Sequence, residues 1–381
     1  MEFLDWKHHI ESLERMDGFN ALEKHQAKEA LEYLQTVLGG DFLLRSSAGD
    51  PCVARHPMLM LLANFAPSSR LRVARFAAYL KTLEGSQNLE KVLARLHDLT
   101  QFNHDALLIK SAAKLVREGL QARFEPTMPS GNNQRQPDLR LDDPLTGEPL
   151  FLEVATQAPA QKEREALDAS SAIIRVVHGT SLELCFSGHW HRTPPEQDLG
   201  DILERIKACA VRALNERNLV LVHEEGTLEL ALCHRDEKAS LLDPWSKERG
   251  FLPCGLEGPT ISTNITVRLK RTIRNEQDQL PHDKPNVIVI LDADAFLRAG
   301  GVQRVIREVE EAVFKYDHVH LVIVHGEYVD DREVPFAGYK DGHRYTRRIS
   351  DGITENDLVL LNPHSRMKLS PDLLAKFYRV F

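Results

Sequence analysis

Apolar residues recur at three- and four-residue spacing through ALEKHQAKEALEYLQTVL (21–38), and Gly39-Gly40 stops the run. The same period marks RLRVARFAAYLKTL (70–83) and NLEKVLARLHDL (88–99). Residues 1–100 are therefore expected to form a helical N-terminal region. From Asn103 the texture changes. HDALLIKSAAKLVREG keeps a helical period as far as Gly119, LQARFEP alternates like a strand, and TMPSGNNQRQ is a polar loop. PDLRLDD is a short strand, PLTGEP a turn, and LFLEVATQ a second, more apolar strand. The order is helix, strand, loop, strand, turn, strand.

Residues 158–258 look like an elaboration. KEREALDASSAIIRVV and DLGDILERIKACAVRALNER have helical spacing, SLELCFSG and GTLELALCHR alternate as strands, and the Pro/Gly-rich FLPCGLEGPT closes the segment. A basic helix (TVRLKRTIRNEQDQL) and a buried-looking strand (PNVIVILDAD) come next. A further helix (VQRVIREVEEAVFKY) leads to an apolar strand (HVHLVIVHG). The tail from Glu327 to Phe381 is charged and turn-rich, with no clear period. Strands alternating with helices predict an α/β fold with a mixed or parallel sheet covered on both faces. The expected organisation is a helical region at 1–100, a core at 101–326 with an insertion at about 158–258, and a C-terminal extension at 327–381.

At 381 residues and 42% hydrophobic, the chain can bury a sizeable core. Its net charge of -8 means that any grip on a polyanion must come from a local patch. Cys52, Cys185, Cys209, Cys233 and Cys254 form no C-x-x-C pair, which argues against a zinc ribbon and fits free thiols in a reducing compartment. No apolar run approaches the ~20 residues of a membrane span. The N-terminus lacks a basic-then-apolar signal pattern, so the expected location is cytoplasmic, away from membranes.

Two carboxylates carry the sharpest chemical signal. Asp138 starts one strand, and Glu153 follows 15 positions later in the next, across the turn at Thr146-Gly147. Carboxylates brought together on adjacent strands repel and lose water, a costly arrangement unless a cation lies between them. Mg²⁺ suits such a pair, because it takes one or two carboxylates and keeps waters and phosphate oxygens in its other positions. Side chains two apart in a strand share a face, so Glu153, Ala155 and Gln157 point together.

This stretch resembles the PD-(D/E)XK nuclease superfamily. The matching residues are Pro137-Asp138 and Glu153-Val154-Ala155, preceded by the helix ending VREG. The helix with Arg268, Lys270, Arg271 and Arg274, followed by PNVIVIL, looks like that family's second core helix and fourth strand. The resemblance covers about a third of the chain. It implies a restriction-endonuclease-like mixed sheet flanked by helices and a metal-dependent hydrolase of phosphodiester bonds, endonuclease or exonuclease. DNA is the expected substrate ahead of RNA, in a setting such as restriction or phage defence. Asp138 and Glu153 would hold Mg²⁺, or Mn²⁺ in its place, and the four cationic side chains would contact nucleic acid. The family's lysine falls where this chain has Ala155. Gln157 is then the candidate for positioning water, with Lys162, Lys110 and Lys114 as further candidates. Asp105 is the nearest candidate for a third acid, but its preferred reading is an N-terminal helix acid favoured by the dipole. If none substitutes, the chain is a catalytically inactive relative that binds nucleic acid or a protein partner.

Other clusters compete. Asp292 and Asp294 end a hydrophobic strand in a D-x-D pattern that can bind Mg²⁺ in phosphohydrolases. His189 with His191, and His318 with His320, form close pairs without an H-E-x-x-H motif. Arg70, Arg72 and Arg75 form a basic helix face, either solvated or touching phosphates. The N-terminal helices offer a surface for a second copy or a partner protein.

Overall fold

The structure, a computed structural model, describes residues 4–16, 19–47, 56–64, 67–127, 136–157, 161–251, 255–259, 265–292, 302–328, 334–340, 342–350 and 353–381. The chain divides into two compact units. One comprises Met1–Gly49, Ala54–Gln157 and Asn264–Phe381, and the other Asp50–Val53 and Ala158–Thr263.

In the first unit, helices α1 (Trp6–Ser12), α2 (Ala21–Leu38), α3 (Phe42–Ser46), α4 (Pro57–Ala63), α5 (Pro67–Thr82), α6 (Leu89–Arg95) and α7 (Leu99–Arg117) precede strands β1 (Gln121–Phe124), β2 (Leu139–Asp142) and β3 (Pro149–Thr156). α2 begins with a reciprocal capping box between Asn20 and Glu23. The period read through 88–99 is broken in the structure. α6 stops at Arg95, and Asp98 caps α7 by accepting the Thr100 N–H.

The second unit holds α8 (Gln161–Thr180), β4 (Leu184–Trp190), α9 (Glu196–Glu216), β5 (Val220–Glu224), β6 (Leu228–His234), α10 (Asp243–Arg249) and β7 (Gly255–Glu257). Its mixed sheet runs β5-β6-β4-β7. Ile173, Val177, Ile202 and Ile206 from α8 and α9 pack with Leu228, Leu230 and Leu232 of β6. β5 falls between the helix expected to end at Arg217 and the strand expected from Gly226, a stretch for which no element is expected. Cys185, Cys209 and Cys233 are free thiols, as the sequence suggests; Cys52 and Cys254 lie outside the described residues.

The chain returns to the first unit with α11 (Ile265–Glu276), β8 (Asn286–Leu291), α12 (Val302–Phe314), β9 (Val319–Tyr328), β10 (Phe336–Lys340), β11 (His343–Ser350), β12 (Ile353–Leu361) and α13 (Pro371–Val380). The eight-stranded mixed sheet runs β1-β2-β3-β8-β9-β12-β11-β10. β1, β2 and β3 form an antiparallel meander, and β3, β8 and β9 are parallel. The tail read as periodless thus supplies strands: β12 pairs antiparallel with β9, followed by β11 and β10. Its polar letters hid this, because Thr354, Asn356 and Asp357 are buried.

The central strands explain how one apolar run serves two faces. Val287 and Val289 of β8 join the cluster of α2, α5 and α7, whereas Ile288 and Ile290 pack with Leu269 and Ile273 of α11 and Val305, Ile306 and Val309 of α12. The N-terminal helices share the first of these cores: Trp6, Leu34 and Leu80 belong to the same cluster as Leu108, Leu152 and Val289. They are therefore not a separate domain. Boundaries drawn at residues 100 and 326 fall inside one unit, and the insertion drawn at 158–258 nearly coincides with the other.

Candidate active site

The β2–β3 turn sets the two carboxylates opposite each other. Gly147, at φ +70°, closes it by donating its N–H to Asp143 O, a conformation that costs glycine little. Leu139 pairs with Leu152, so continuing the register by one position places Asp138 across from Glu153. Asp138 stands just before β2, its carbonyl accepting the Glu125 N–H at 2.8 Å. Its Oδ2 accepts the N–H of Val154 at 2.8 Å, which pins the carboxylate against β3.

Glu153 shares its face of β3 with Phe151 and Ala155, under α11 and α12. It is 0% exposed, and Asp138 is the neighbouring acid it faces. Burial and the neighbouring Asp138 charge push its pKa well above the ordinary range. Glu276, at the end of α11, is also raised, by burial and then by Asp138. These acids do not complete a cage. Among the described residues no group of three or more His, Cys, Asp or Glu side chains is arranged to hold a metal ion.

On the other side of Asp138 stands a side chain that the sequence reading missed. His104 of α7 donates from Nε2 to Asp138 Oδ2 and from Nδ1 to Asp105 Oδ1, each at 3.2 Å. Burial alone would lower its pKa, but the two carboxylates win and hold it at about 10. Asp105 is therefore not an acid favoured by the helix dipole. It lies 0% exposed, gripped by the Arg95 guanidinium at 2.8 and 3.1 Å, and that guanidinium also binds Glu125. Burial raises the Asp105 carboxyl, but His104 and Arg95 outweigh it and bring its pKa below the usual value. A chain of paired charges, Arg95–Asp105–His104–Asp138, thus leads to the carboxylate pair. No motif spacing announces it, because His104 and Asp138 lie 34 positions apart.

Gln157 follows β3 on the Glu153 face, and its Nε2 donates to Thr272 Oγ1 of α11 at 2.8 Å. Thr272 fixes the stripe of α11 that looks toward the site. Arg268 and Glu276 lie one turn to either side of it, whereas Lys270 and Arg274 fall on another stripe and Arg271 is exposed. Of the four cations expected to meet substrate, Arg268 alone shares the stripe of Thr272 and Glu276.

The replacements considered for the absent lysine lie elsewhere. Lys110 and Lys114 are buried on the opposite face of the sheet. Lys110 Nζ bonds Glu327 at 2.8 Å, Glu355 at 2.9 Å and His325 Nε2 at 3.0 Å, and Lys114 lies 3.5 Å from Glu355. His325 Nδ1 donates to Asp357 at 2.6 Å, and Arg348 closes on the same carboxylate. Two cations of the basic face of α5 belong to this network too, so they are committed to carboxylates rather than simply solvated. Arg72 pairs with Glu327 and Arg75 with Glu355, while Arg70 is only 1% exposed. The Lys162 side chain lies outside the described residues.

Among the described residues, none of the competing clusters forms a group of three or more His, Cys, Asp or Glu that could hold a metal ion. Asp292 is buried at the end of β8, and Asp294 lies outside the described residues. His189 and His191 stand ring to ring at 5.1 Å, with His191 3.9 Å from Glu229. His318 donates to Gln277 O, and His320 Nδ1 accepts the Leu369 N–H, so these two histidines tie loops to the sheet. No family model, curated protein or solved structure matches this chain.

Proposed function

We propose that the chain is a divalent-metal-dependent nuclease of the PD-(D/E)XK type, acting on DNA. The carrying observation is the fully buried carboxyl of Glu153, set across from Asp138 and pushed well above the ordinary carboxylate range by burial and by the Asp138 charge. An ionised pair so placed is costly without a counter-charge, and a cation supplies one. The surrounding order supports the reading: helix α7, meander β1–β2–β3, then α11 and β8 parallel to β3, with a helix layer on each face.

Asp138 and Glu153 would hold Mg²⁺ or Mn²⁺, which when bound would polarise a phosphate and acidify a water. Everything else falls to the protein. The Val154 N–H and His104 fix the direction of Asp138, and Arg95 with Asp105 fixes His104. Thr272 orients the Gln157 amide, a neutral group that can position water without balancing phosphate charge. Arg268, on the stripe of Thr272, is the cation best placed for the scissile strand.

A second reading has its own observation. Ala155 offers no cation on the Glu153 face, and Lys110 and Lys114 are committed to acids on the other face. The alternative is a catalytically inactive relative that binds nucleic acid or a protein partner. Incubation of linear, circular and single-stranded DNA and RNA with Mg²⁺, Mn²⁺ or EDTA separates the two. The nuclease reading expects cleavage that Asp138→Ala and Glu153→Ala abolish, that Gln157→Ala weakens less, and that Asp292→Ala leaves intact. Retained DNA binding without cleavage under any metal favours the inactive relative.

A further inference from the structure

At the edge of the large sheet opposite β1, a groove of about 420 Å³ runs between the β10–β11 hairpin and α13. Strand alternation sets Arg344, Thr346 and Arg348 on one face of β11, and Thr346 pairs with Ala337 of β10. These two small side chains leave the floor low. The walls are cationic: Arg344 and Arg348 rise from β11, and Arg379 stands on α13. Residues 336–350 carry four Lys or Arg against one Asp, in a chain whose net charge is -8.

The cations are held in place rather than loose. Arg344 Nε donates to Tyr378 O at 3.2 Å, and its guanidinium lies 5.8 Å from the centre of the Tyr378 ring. Arg348 bonds Asp357 and Phe381 O, and Arg379 pairs with Glu118. No carboxylate faces Arg344 among the described residues, so its charge stays available to a ligand. Tyr339, on the strand beside Arg344, meets Tyr378 edge to face at 6.4 Å and is 62% exposed. A second sign of a ligand is Thr346, which lines the groove at 4% exposure with a hydroxyl that has no partner among the described residues. Buried hydroxyls are normally satisfied.

We propose that this groove binds a single nucleotide, free or at the end of a strand. The phosphate sits between Arg344, Arg348 and Arg379 with Thr346 as a further donor, and the base stacks on the exposed Tyr339 ring, which Tyr378 braces edge-on. The groove's volume falls within the ~300–1,000 Å³ typical of small-ligand sites. Guanidinium forks match phosphate oxygens, and exposed aromatic rings give a base a stacking surface. The aromatic pair distinguishes a nucleotide from a bare anion or an acidic peptide. The site shares no residue with the carboxylate pair and does not depend on the nuclease reading.

The test is calorimetric titration of the whole chain in EDTA with a deoxynucleoside 5′-monophosphate, inorganic phosphate, and an Asp/Glu-rich peptide. The expected order is nucleotide tighter than inorganic phosphate by about tenfold or more, with the peptide weakest. Arg344→Ala should weaken nucleotide binding by about tenfold. Thr346→Val, which removes a hydroxyl without a partner among the described residues, should weaken it while Tm stays level or rises. The proposal is overturned if wild type does not bind the nucleotide, if phosphate or peptide binds as tightly, or if Thr346→Val binds as wild type does. EDTA and the absence of turnover keep these outcomes separate from the fate of the carboxylate site.

Discussion

His104 Nε2 lies 3.2 Å from Asp138 Oδ2, and the other ring nitrogen lies the same distance from Asp105, so one imidazolium joins a half-buried carboxylate to a fully buried one. Its pKa, held at about 10, lies above the unfolded value of about 6.5. Such a group contributes its full stabilisation below the unfolded pKa and loses it as pH rises through the folded one. In metal-free buffer, the stability gap between wild type and His104→Gln should be widest at pH 6 and shrink steadily toward pH 10. Urea denaturation at pH 6, 8 and 10 measures it. A gap independent of pH means that His104 is not charged in the fold.

Glu153 has the opposite sign. Its carboxyl is raised, so ionising it in the fold costs stability as pH climbs above the unfolded value of about 4.3. Glu153→Gln should therefore stabilise the metal-free protein at pH 8, by at least about 1.4 kcal/mol, the equivalent of one pKa unit. Thermal melts in EDTA are the measurement, and destabilisation by the substitution is the opposing result.

The cluster around Lys110 is structural. Lys110→Met leaves Glu327 and Glu355 buried without their closest ammonium and should cost about 3–5 kcal/mol. Burial and the Lys110 charge hold His325 below its ordinary value. Burial raises Glu327, Glu355 and Asp357, but their cationic neighbours outweigh it, bringing Glu327 to about 2. Depressed groups contribute stability above their unfolded pKa and lose it as pH falls. Tm should decline first as pH drops below about 6.5, when the unfolded His325 takes up a proton, and again below about 4.3, as the unfolded carboxylates do. A Tm flat from pH 7 to pH 5, with a Lys110→Met variant as stable as wild type, speaks against this network.

α11 makes a finer claim. Arg268 shares the Thr272–Glu276 stripe, whereas Lys270 and Arg274 lie on another. Arg268→Ala should weaken DNA binding and lower the salt slope by about 0.9, the loss of one phosphate contact, while Lys270→Ala and Arg274→Ala do less. Fluorescence anisotropy across a salt series reads both quantities. Equal effects at all three positions mean that the helix contributes only a diffuse field.

Period and alternation were enough to read the helices α2, α5 and α7, the strands β2, β3, β8 and β9, and the pairing of Asp138 with Glu153. Those features are local, set by a short turn and by apolar residues at helix or strand spacing. What stayed hidden depends on partners far along the chain. His104 acquires its role from Asp138, Lys110 from Glu327 and Glu355, and Arg75 from Glu355, across 34 to 280 positions. The tail strands were masked for the same reason. Thr354, Glu355, Asn356 and Asp357 read as a polar loop, yet they are buried because cations on α5, α7 and β11 and the Tyr328 and Tyr345 hydroxyls meet them.

Direct titration of a divalent cation tests the carboxylate site itself. Mn²⁺ added to metal-free protein, with free Mn²⁺ followed by electron paramagnetic resonance, should show about one bound ion in wild type and at least roughly tenfold weaker binding in Glu153→Gln. Wild type that binds no Mn²⁺, or Glu153→Gln that binds it as tightly as wild type, contradicts a metal centre at Asp138 and Glu153.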